Sequence, residues 1–244
     1  KGGIMNQILV SEKVYVTPEL KRKRKTYKVI FILCLVLIVI LTGYYVFAEY
    51  DKNQKESISR EILSQMNDQT TVEESFIVVA LDEEPTEEEV PIIEMHTETT
   101  TNTLESQVTA NGQTYQTEAI LDYPKLGINY PVLSEESEEL LKVSLCKYWG
   151  PNPNKVGNYC IVGHNYRSGK MFGKLSGAEI GDEVNLTDLN GETVTYVVYN
   201  RYVVDPTDVS CTSQLTNGQR EITLITCTNY GQDRLVIKAR EKQA

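Results

Sequence analysis

An uncharged run of twenty residues near the N-terminus limits what this chain can become. Residues 29–48 (VIFILCLVLIVILTGYYVFA) are almost wholly apolar, and a helix of that length covers about 30 Å, the thickness of the hydrocarbon core of a bilayer. A cleaved signal peptide is the alternative, but the run is too long and no small-x-small cleavage site follows it. The run therefore predicts an uncleaved transmembrane anchor.

The charges that flank this run predict its orientation. Consecutive basic residues from Lys21 to Lys25 precede it, and Glu49 and Asp51 follow it. Loops rich in Lys and Arg stay on the cytoplasmic side of a membrane. We therefore expect a single-pass protein of the cell membrane, with residues 1–28 in the cytoplasm and the chain beyond the span outside the cell.

Residues 49–113 predict a helical stalk that leads into an acidic and Thr-rich spacer. Four apolar residues share one helical face of the stalk: Ile58, Ile62, Leu63 and Met66. From about residue 67 acidic and threonine runs predict an extended, solvated tether. The apolar island at 76–81 leaves an alternative, in which the spacer folds over a groove, pairs with Arg234 and dampens activity.

Residues 114–244 predict a mainly β domain. Short runs of β-forming residues are separated by turns, at 114–121, 127–133, 158–163, 183–187, 192–204, 221–227 and 234–239. Asn190-Gly191 predicts a hairpin. A helix capped by Ser134 is expected at 135–145, and a short helical turn at 168–177. The pattern indicates a closed or nearly closed β-barrel with one or two short helices and a single core.

The charge of the chain excludes nucleic acid as a partner. The formal net charge is -10, and no basic patch interleaved with aromatic residues is present. No Cys-x-x-Cys occurs, so neither a redox motif nor a zinc ribbon is indicated. We expect no cofactor; the acidic residues at 135–139 and 182–183 leave a weak calcium site as the alternative to a solvated helix start.

Three residues at the ends of predicted strands carry the groups needed for acyl transfer through a thioester. Cys227 ends one strand, His164 follows another, and Arg234 begins the last. Each has an ordinary explanation taken alone: a small buried residue, a solvated loop histidine and a surface ion pair. Together, an imidazolium and a guanidinium would lower the pKa of the thiol, and the guanidinium could stabilise an oxyanion.

At these residues the chain resembles the sortases, which are membrane-anchored cysteine transpeptidases of Gram-positive cell surfaces. The resemblance rests on the T-L-x-T-C string that ends at Cys227, the G-H pair at 163–164 and the following Arg234. It implies an eight-stranded barrel, with Cys227 as nucleophile, His164 as general acid and base, and Arg234 as oxyanion stabiliser. Thr226 and Asn165 would then lie in the substrate groove.

The resemblance also implies partners for the enzyme. A C-terminal sorting peptide of a surface protein, of the LPxTG kind, would be the acyl donor. A peptidoglycan precursor or a pilin lysine would supply the acceptor amine. The G-H-N…G-x-M-F…L pattern from Gly163 to Leu175 is similar to class B sortases, whereas the stretch from Gly191 to Cys227 is too short for their helical insertion, so the subclass stays open.

Two other functions are consistent with the same residues. Cys160, His164 and Cys227 could form a Cys₂His zinc site with an open position, as in a zinc-dependent hydrolase. Alternatively, Cys160 and Cys227 could be oxidised together, which would leave a catalytically inactive surface binding domain. Metal analysis separates the first alternative from a thiol enzyme, and a count of free thiols separates the second.

Overall fold

The computed structural model describes residues 18–68, 104 and 106–243. The chain divides into two compact units, one that ends at Asp51 and one that begins at Lys52. The apolar island at 76–81 and most of the predicted spacer lie outside the described residues.

The first unit contains most of a long helix, α1, which runs Pro18–Asp68. By length and composition this helix is able to cross a membrane, and its most apolar window has none of its residues buried inside the protein. Large side chains such as Phe31 and Val39 expose about two thirds of their surface, at 65% and 69%. Exposed apolar area is unfavourable in water at roughly 25 cal/mol per Å², so a bilayer suits this segment.

In the second unit the apolar face predicted for the stalk is present and buried. Ile62 and Met66 have no exposed surface, and Ile58 and Leu63 are nearly covered. They pack in one cluster that extends into the barrel: Leu104, Val108, Ala110, Tyr115, Ile120, Leu133, Val143 and Cys146. The segment from Lys52 onward is therefore docked on the β domain. Polar contacts strengthen the docking, because Tyr130 donates to Glu56 Oε1 at 2.9 Å.

The β domain is a barrel closed by hydrogen bonds. Its strands are β1 Gln107–Ala110, β2 Gln113–Tyr123, β3 Ile128–Leu133, β4 Leu145–Trp149, β5 Gly157–Val162, β6 Glu183–Asp188, β7 Thr193–Val204, β8 Arg220–Thr228 and β9 Asp233–Glu241. The order is β1-β2-β3-β4-β5-β8-β9-β7-β6, and β6 pairs back to β2. Strands β2 to β9 thus close an eight-stranded barrel. Strand β1 lies outside this barrel and pairs with the first residues of β2. The pairs β3–β4 and β5–β8 are parallel.

The barrel interior is filled by alternating side chains, with three tyrosines fully or almost fully buried. Each tyrosine hydroxyl has a polar partner, since Tyr123 donates to Asp182 at 2.6 Å, Tyr159 to Glu118 at 3.1 Å and Tyr196 to Asn154 at 3.0 Å. Buried hydroxyls that keep a hydrogen bond avoid a cost of about 1–3 kcal/mol each. The interior is thus a packed core.

The fold class agrees with the sequence, and the differences are local. All seven expected strands form, as β2, β3 and β5–β9, and Asn190-Gly191 makes the expected hairpin between β6 and β7. Strand β1 was not expected; it lies in the range 49–113 and pairs with β2 across Asn111-Gly112, both residues with positive φ. That dipeptide is itself a hairpin signal.

The expected helix at 135–145 was placed too widely. Helix α2 spans only Glu138–Val143, and its N-cap is Ser137, whose hydroxyl accepts from Leu140 N at 3.1 Å. Residues from Leu145 onward belong to β4, because they pair with β3 and β5. The helical turn expected at 168–177 is a 3₁₀ turn at Phe172–Gly177.

Candidate active site

Three adjacent strands place His164, Cys227 and Arg234 in one row. Val162 pairs with Ile225 in the parallel β5–β8 ladder. Carrying this register on by two residues puts His164 beside Cys227, on neighbouring chains about 5 Å apart. On the other side of β8, Cys227 is the direct partner of Arg234 in the antiparallel β8–β9 pair. Residues distant in sequence are thus aligned across the sheet.

All three side chains line one cavity, with a volume of about 260 Å³. The floor is formed by residues of β5 and β8. The walls come from α2 through Leu141, from β4 through Tyr148, and from the β7–β8 connection at 205–219 through Pro206, Val209 and Cys211. His164 and Cys227 are each half-buried. A thiol in this position is shielded from bulk solvent and remains open to a peptide laid along the cavity.

Two side chains fasten the His164 loop to the Cys227 strand. Thr226 Oγ1 donates to Gly163 O at 2.7 Å, and Asn165 Nδ2 donates to Cys227 O at 2.8 Å. Thr226 and Asn165 were predicted to contact substrate. Thr226 lines the cavity, and Asn165 bonds the backbone of the adjacent Cys227. Both donors are engaged within the protein, and contact of either residue with substrate stays a prediction.

Gly163 allows the chain to pass close to the core just before the histidine. A Cβ at this position would clash with Leu145 Cδ2 and would come within 2.9 Å of Phe172 Cδ2. Phe172 is fully buried, and its backbone N donates to His164 O at 3.0 Å. Because residue 163 is a glycine, Phe172 can pack against the chain at this point and fix the backbone of His164 by its hydrogen bond.

The surroundings of His164 favour its neutral form. Burial lowers the pKa of the imidazole below its ordinary value of 6.5, and the positive charge of Lys142 on α2 lowers the pKa further. The imidazolium expected from the sequence is therefore disfavoured near neutral pH. A neutral imidazole beside a thiol can accept the thiol proton, which is the role of a general base.

Arg234 is held by the turn between β8 and β9. Its Nη1 donates to Gly231 O at 3.0 Å and to Asp233 O at 3.1 Å. Asn229 and Tyr230 both have positive φ, at 48° and 56°, and such backbone strain clusters at functional sites. A guanidinium has five N–H donors, so these two bonds leave donors for a carbonyl oxygen in the cavity.

The zinc alternative fails on geometry. Cys160 pairs with Thr223, four residues before Cys227, which separates the two cysteines by about 13 Å along the sheet. Cys160 is fully buried with Cys211, Ile225 and Val236, and burial raises the pKa of its thiol to about 12. The same separation is far beyond the span of a disulfide, and both thiols are free.

The part of the chain that the structure describes holds no group of three or more His, Cys, Asp or Glu arranged for a metal ion. In the acidic clusters considered for calcium, Glu139 pairs with Lys142 at 2.8 Å. Asp182 accepts from Lys125 at 2.6 Å as well as from Tyr123. These carboxylates are engaged with the protein's own cations and hydroxyls.

The walls of the cavity were not predicted from the sequence. Leu141 lies in the segment expected to be helical at 135–145, Tyr148 follows that segment without an expected element, and the connection at 205–219 has no motif. The apolar spacing of α2 was the available signal, because β4 shows no alternation of buried and exposed residues. Only the barrel topology brings these segments over the β5–β8 pair.

Comparison with known proteins identifies the domain. A sortase domain model matches residues 121–242. Similar solved structures include a sortase D5 transpeptidase of Clostridium perfringens, 24% identical with a TM-score of 0.48, covering 52% of this chain and 80% of that one. A lid mutant of sortase A from Corynebacterium diphtheriae is 24% identical with a TM-score of 0.49, covering 53% and 72%. Sortase C-1 of Actinomyces oris is 23% identical with a TM-score of 0.48, covering 52% and 72%. No curated protein sequence matches.

Proposed function

This chain belongs to the sortase family of cysteine transpeptidases, and we propose that it is anchored in the cell membrane and sorts surface proteins. Its substrate would be a C-terminal sorting peptide of the LPxTG kind, transferred to an amine of a peptidoglycan precursor or of a pilin lysine. The row of His164, Cys227 and Arg234 along one cavity is the observation that supports this proposal.

The first half of the proposed reaction forms an acyl-enzyme. Neutral His164 takes the proton of Cys227, and the thiolate attacks the carbonyl carbon of the scissile peptide bond. The carbonyl oxygen gains negative charge, which Arg234 stabilises. The tetrahedral intermediate collapses to a thioester as the C–N bond breaks, and the imidazolium formed in the first step gives its proton to the leaving amine.

The second half reverses these steps with a different amine. The acceptor attacks the thioester carbonyl and loses a proton to His164, and a new peptide bond forms as the thiolate of Cys227 leaves. The imidazolium then returns the proton to the thiolate. Because the half-buried site limits access of water, the amine competes with hydrolysis.

The proposed topology places this chemistry outside the cell. The basic run from Lys21 to Lys25 would stay in the cytoplasm while residues 29–48 span the bilayer. The β domain would then face the outside of the cell, where sorting signals emerge.

The test is mass spectrometry of purified full-length protein incubated with a library of sorting peptides. We expect an acyl adduct on the peptide that carries Cys227 in the wild type, and none in Cys227→Ala. Cys211→Ala is the matched control, since Cys211 lines the same cavity, and it should keep the adduct. An adduct that survives in Cys227→Ala, or no adduct with any peptide in the wild type, contradicts the proposal.

A further inference from the structure

The loop that carries His164, residues 163–172, is fixed by its own far end. Asn165 and Met171 form an isolated antiparallel bridge, and Phe172 N donates to His164 O at 3.0 Å. His164 and the residue after it therefore lie against the two residues that close the loop. The position of His164 thus depends on where Met171 and Phe172 are held.

Met171 has a backbone conformation that a residue with a side chain rarely adopts. Its φ is 49° and its ψ is -122°, whereas its side chain is 1% exposed and belongs to the core cluster of the barrel. Strain of this kind persists only where the surrounding structure holds it in place. Contacts from outside the loop therefore decide the conformation of the loop at this residue.

The docked part of α1 supplies such contacts at two points. Asn53 Oδ1 accepts from Lys170 Nζ, one residue before Met171, at 2.8 Å. The two carboxylate oxygens of Glu56 accept from the hydroxyl of Tyr130 at 2.9 and 3.1 Å. Burial raises the pKa of Tyr130, and a hydrogen bond from the backbone of Met171 to the same hydroxyl opposes that rise. One hydroxyl thus joins the helix to the strained residue of the loop.

This link is sheltered from water and held on both sides. Tyr130 is 3% exposed, and the side chain of Glu56 is 17% exposed. Arg60, one turn further along α1, donates from Nε to Glu56 Oε1 at 3.0 Å, and its guanidinium carbon lies 4.7 Å from the centre of the Tyr130 ring. Hydrogen bonds to a charged group are stronger where water is largely excluded, so Glu56 fixes the direction of the Tyr130 hydroxyl.

We propose that Glu56, acting through Tyr130, is a positioning residue for His164. This inference rests on the proposed function. Glu56 fixes the hydroxyl of Tyr130, and that hydroxyl fixes the backbone of Met171 at the end of the loop. The imidazole of His164 is thereby kept within reach of the thiol of Cys227. The end of α1 then contributes to catalysis, although it contacts neither the thiol nor the imidazole.

Tyr130→Phe in the full chain tests this role, because it removes the hydroxyl and keeps the ring beneath Arg60. We expect kcat for acylation by a peptide of the LPxTG kind to fall roughly three- to tenfold with KM little changed, since the imidazole is misplaced and the peptide still binds. Tyr115→Phe is the matched control. Tyr115 is buried in the cluster shared by α1 and the barrel, but its hydroxyl donates to Gln113 at 2.9 Å, and kcat should be unchanged. A raised KM with normal kcat in Tyr130→Phe overturns the inference.

Variants of Glu56 separate its hydrogen bond from its ion pair with Arg60. Glu56→Gln keeps an oxygen that can accept from Tyr130 and loses the charge, so it should retain most of kcat. Glu56→Leu removes the acceptor and should be as slow as Tyr130→Phe. The two residues act in one chain of contacts, so the double variant should be no slower than either single variant. Losses that simply add in the double variant contradict the proposal.

The NMR signals of the His164 imidazole test the positioning without any substrate. The chain has two histidines, and His96→Gln leaves the signals of His164 alone. In this background Tyr130→Phe should shift the imidazole C–H signals, whereas Tyr115→Phe should leave them in place. A merely structural role for the hydroxyl would lower the midpoint of thermal unfolding and would not move these signals. Unmoved signals in Tyr130→Phe overturn the inference.

The two proposals fail in different ways. If the wild type forms no acyl-enzyme, the proposed function is wrong, and the NMR signals alone decide whether Glu56 positions His164. If the wild type reacts and Tyr130→Phe reacts equally fast, the function stands and the role assigned to Glu56 is wrong.

Discussion

The charge state of His164 is set by its immediate neighbours. Burial lowers the pKa of the imidazole, and Lys142 lowers it further from α2. Glu139 pairs with Lys142 at 2.8 Å but is itself largely exposed, so it offsets only part of the lysine's charge. In the proposed mechanism the histidine therefore begins the reaction as a base and becomes an acid only after it has taken the proton of Cys227.

Removing the charge of Lys142 should raise the pKa of His164 toward 6.5. The rise should be partial in Lys142→Met, since burial, the larger cause, remains. An NMR titration of the imidazole C–H signals measures this directly, because the chain has two histidines and His96→Gln identifies the second signal. Lys155→Met, a change of the same charge in the loop after β4, is the control and should leave the titration unchanged. An unchanged pKa in Lys142→Met contradicts the assignment.

The catalytic candidates could be predicted from the sequence, whereas the bonds that hold them could not. A short stretch of sequence is enough to single out each of them. His164 follows a run of β-forming residues, Cys227 ends one and Arg234 begins one. The bond from Thr226 to Gly163 joins residues 63 positions apart. Neither residue carries a local signal for it, because it depends on the parallel pairing of β5 with β8.

At the scale of secondary-structure elements, the end of α1 and the strand β1 form a second layer on the barrel. Ile62 and Met66 contribute fully buried side chains to the shared cluster. The helix is also tied to the domain by Ser59, which donates to Ser144 at 3.2 Å. The segment of α1 from Lys52 onward is in this way part of the folded domain.

Shortening one buried side chain of this helix should destabilise the domain. We expect Ile62→Ala to lower the free energy of unfolding by about 2–5 kcal/mol, from lost apolar contacts and the cavity left behind. Urea unfolding of the protein in detergent micelles, followed by the fluorescence of Trp149, measures the change. Ser64→Ala on the exposed face of the same helix is the control and should change stability by less than about 0.5 kcal/mol. Equal midpoints for the two variants would show that the helix is not docked.

The elements missed by the sequence have physical causes. Strand β4 has five residues and follows α2 after the single residue Ser144, so its pattern merges with that of the helix. The two-residue turn at Asn111-Gly112 was a usable signal for β1, but the strand before it has only four residues. In both cases pairing with a neighbouring strand decides the structure and local preference does not.

For the whole molecule, the distribution of thiols gives a means to test membrane topology. Cys146, Cys160 and Cys211 are buried in the β domain, and Cys34 lies in the apolar part of α1. Cys227 is the half-exposed thiol at the cavity. A water-soluble reagent that cannot cross membranes should therefore report on the side of the membrane that holds the β domain.

Intact cells that produce the full chain should label with a membrane-impermeant maleimide at a single residue, Cys227. The burial of Cys146, Cys160 and Cys211, the position of Cys34 within the proposed membrane span and the proposed outward orientation together lead to this result. Cys227→Ala should abolish labelling, and Cys211→Ala should leave it unchanged. Labelling that appears only after the cells are lysed would place the β domain in the cytoplasm and refute the topology.

The pairing of β5 with β8 also delays completion of the catalytic row until late in synthesis of the chain. His164 leaves the ribosome 63 residues before Cys227, which at about 5–20 residues per second is roughly 3–13 s. Arg234 follows later still, and the row forms only when β8 inserts between β5 and β9. Under the proposed function, a chain that is still being synthesised therefore lacks the complete catalytic row and should not form an acyl-enzyme.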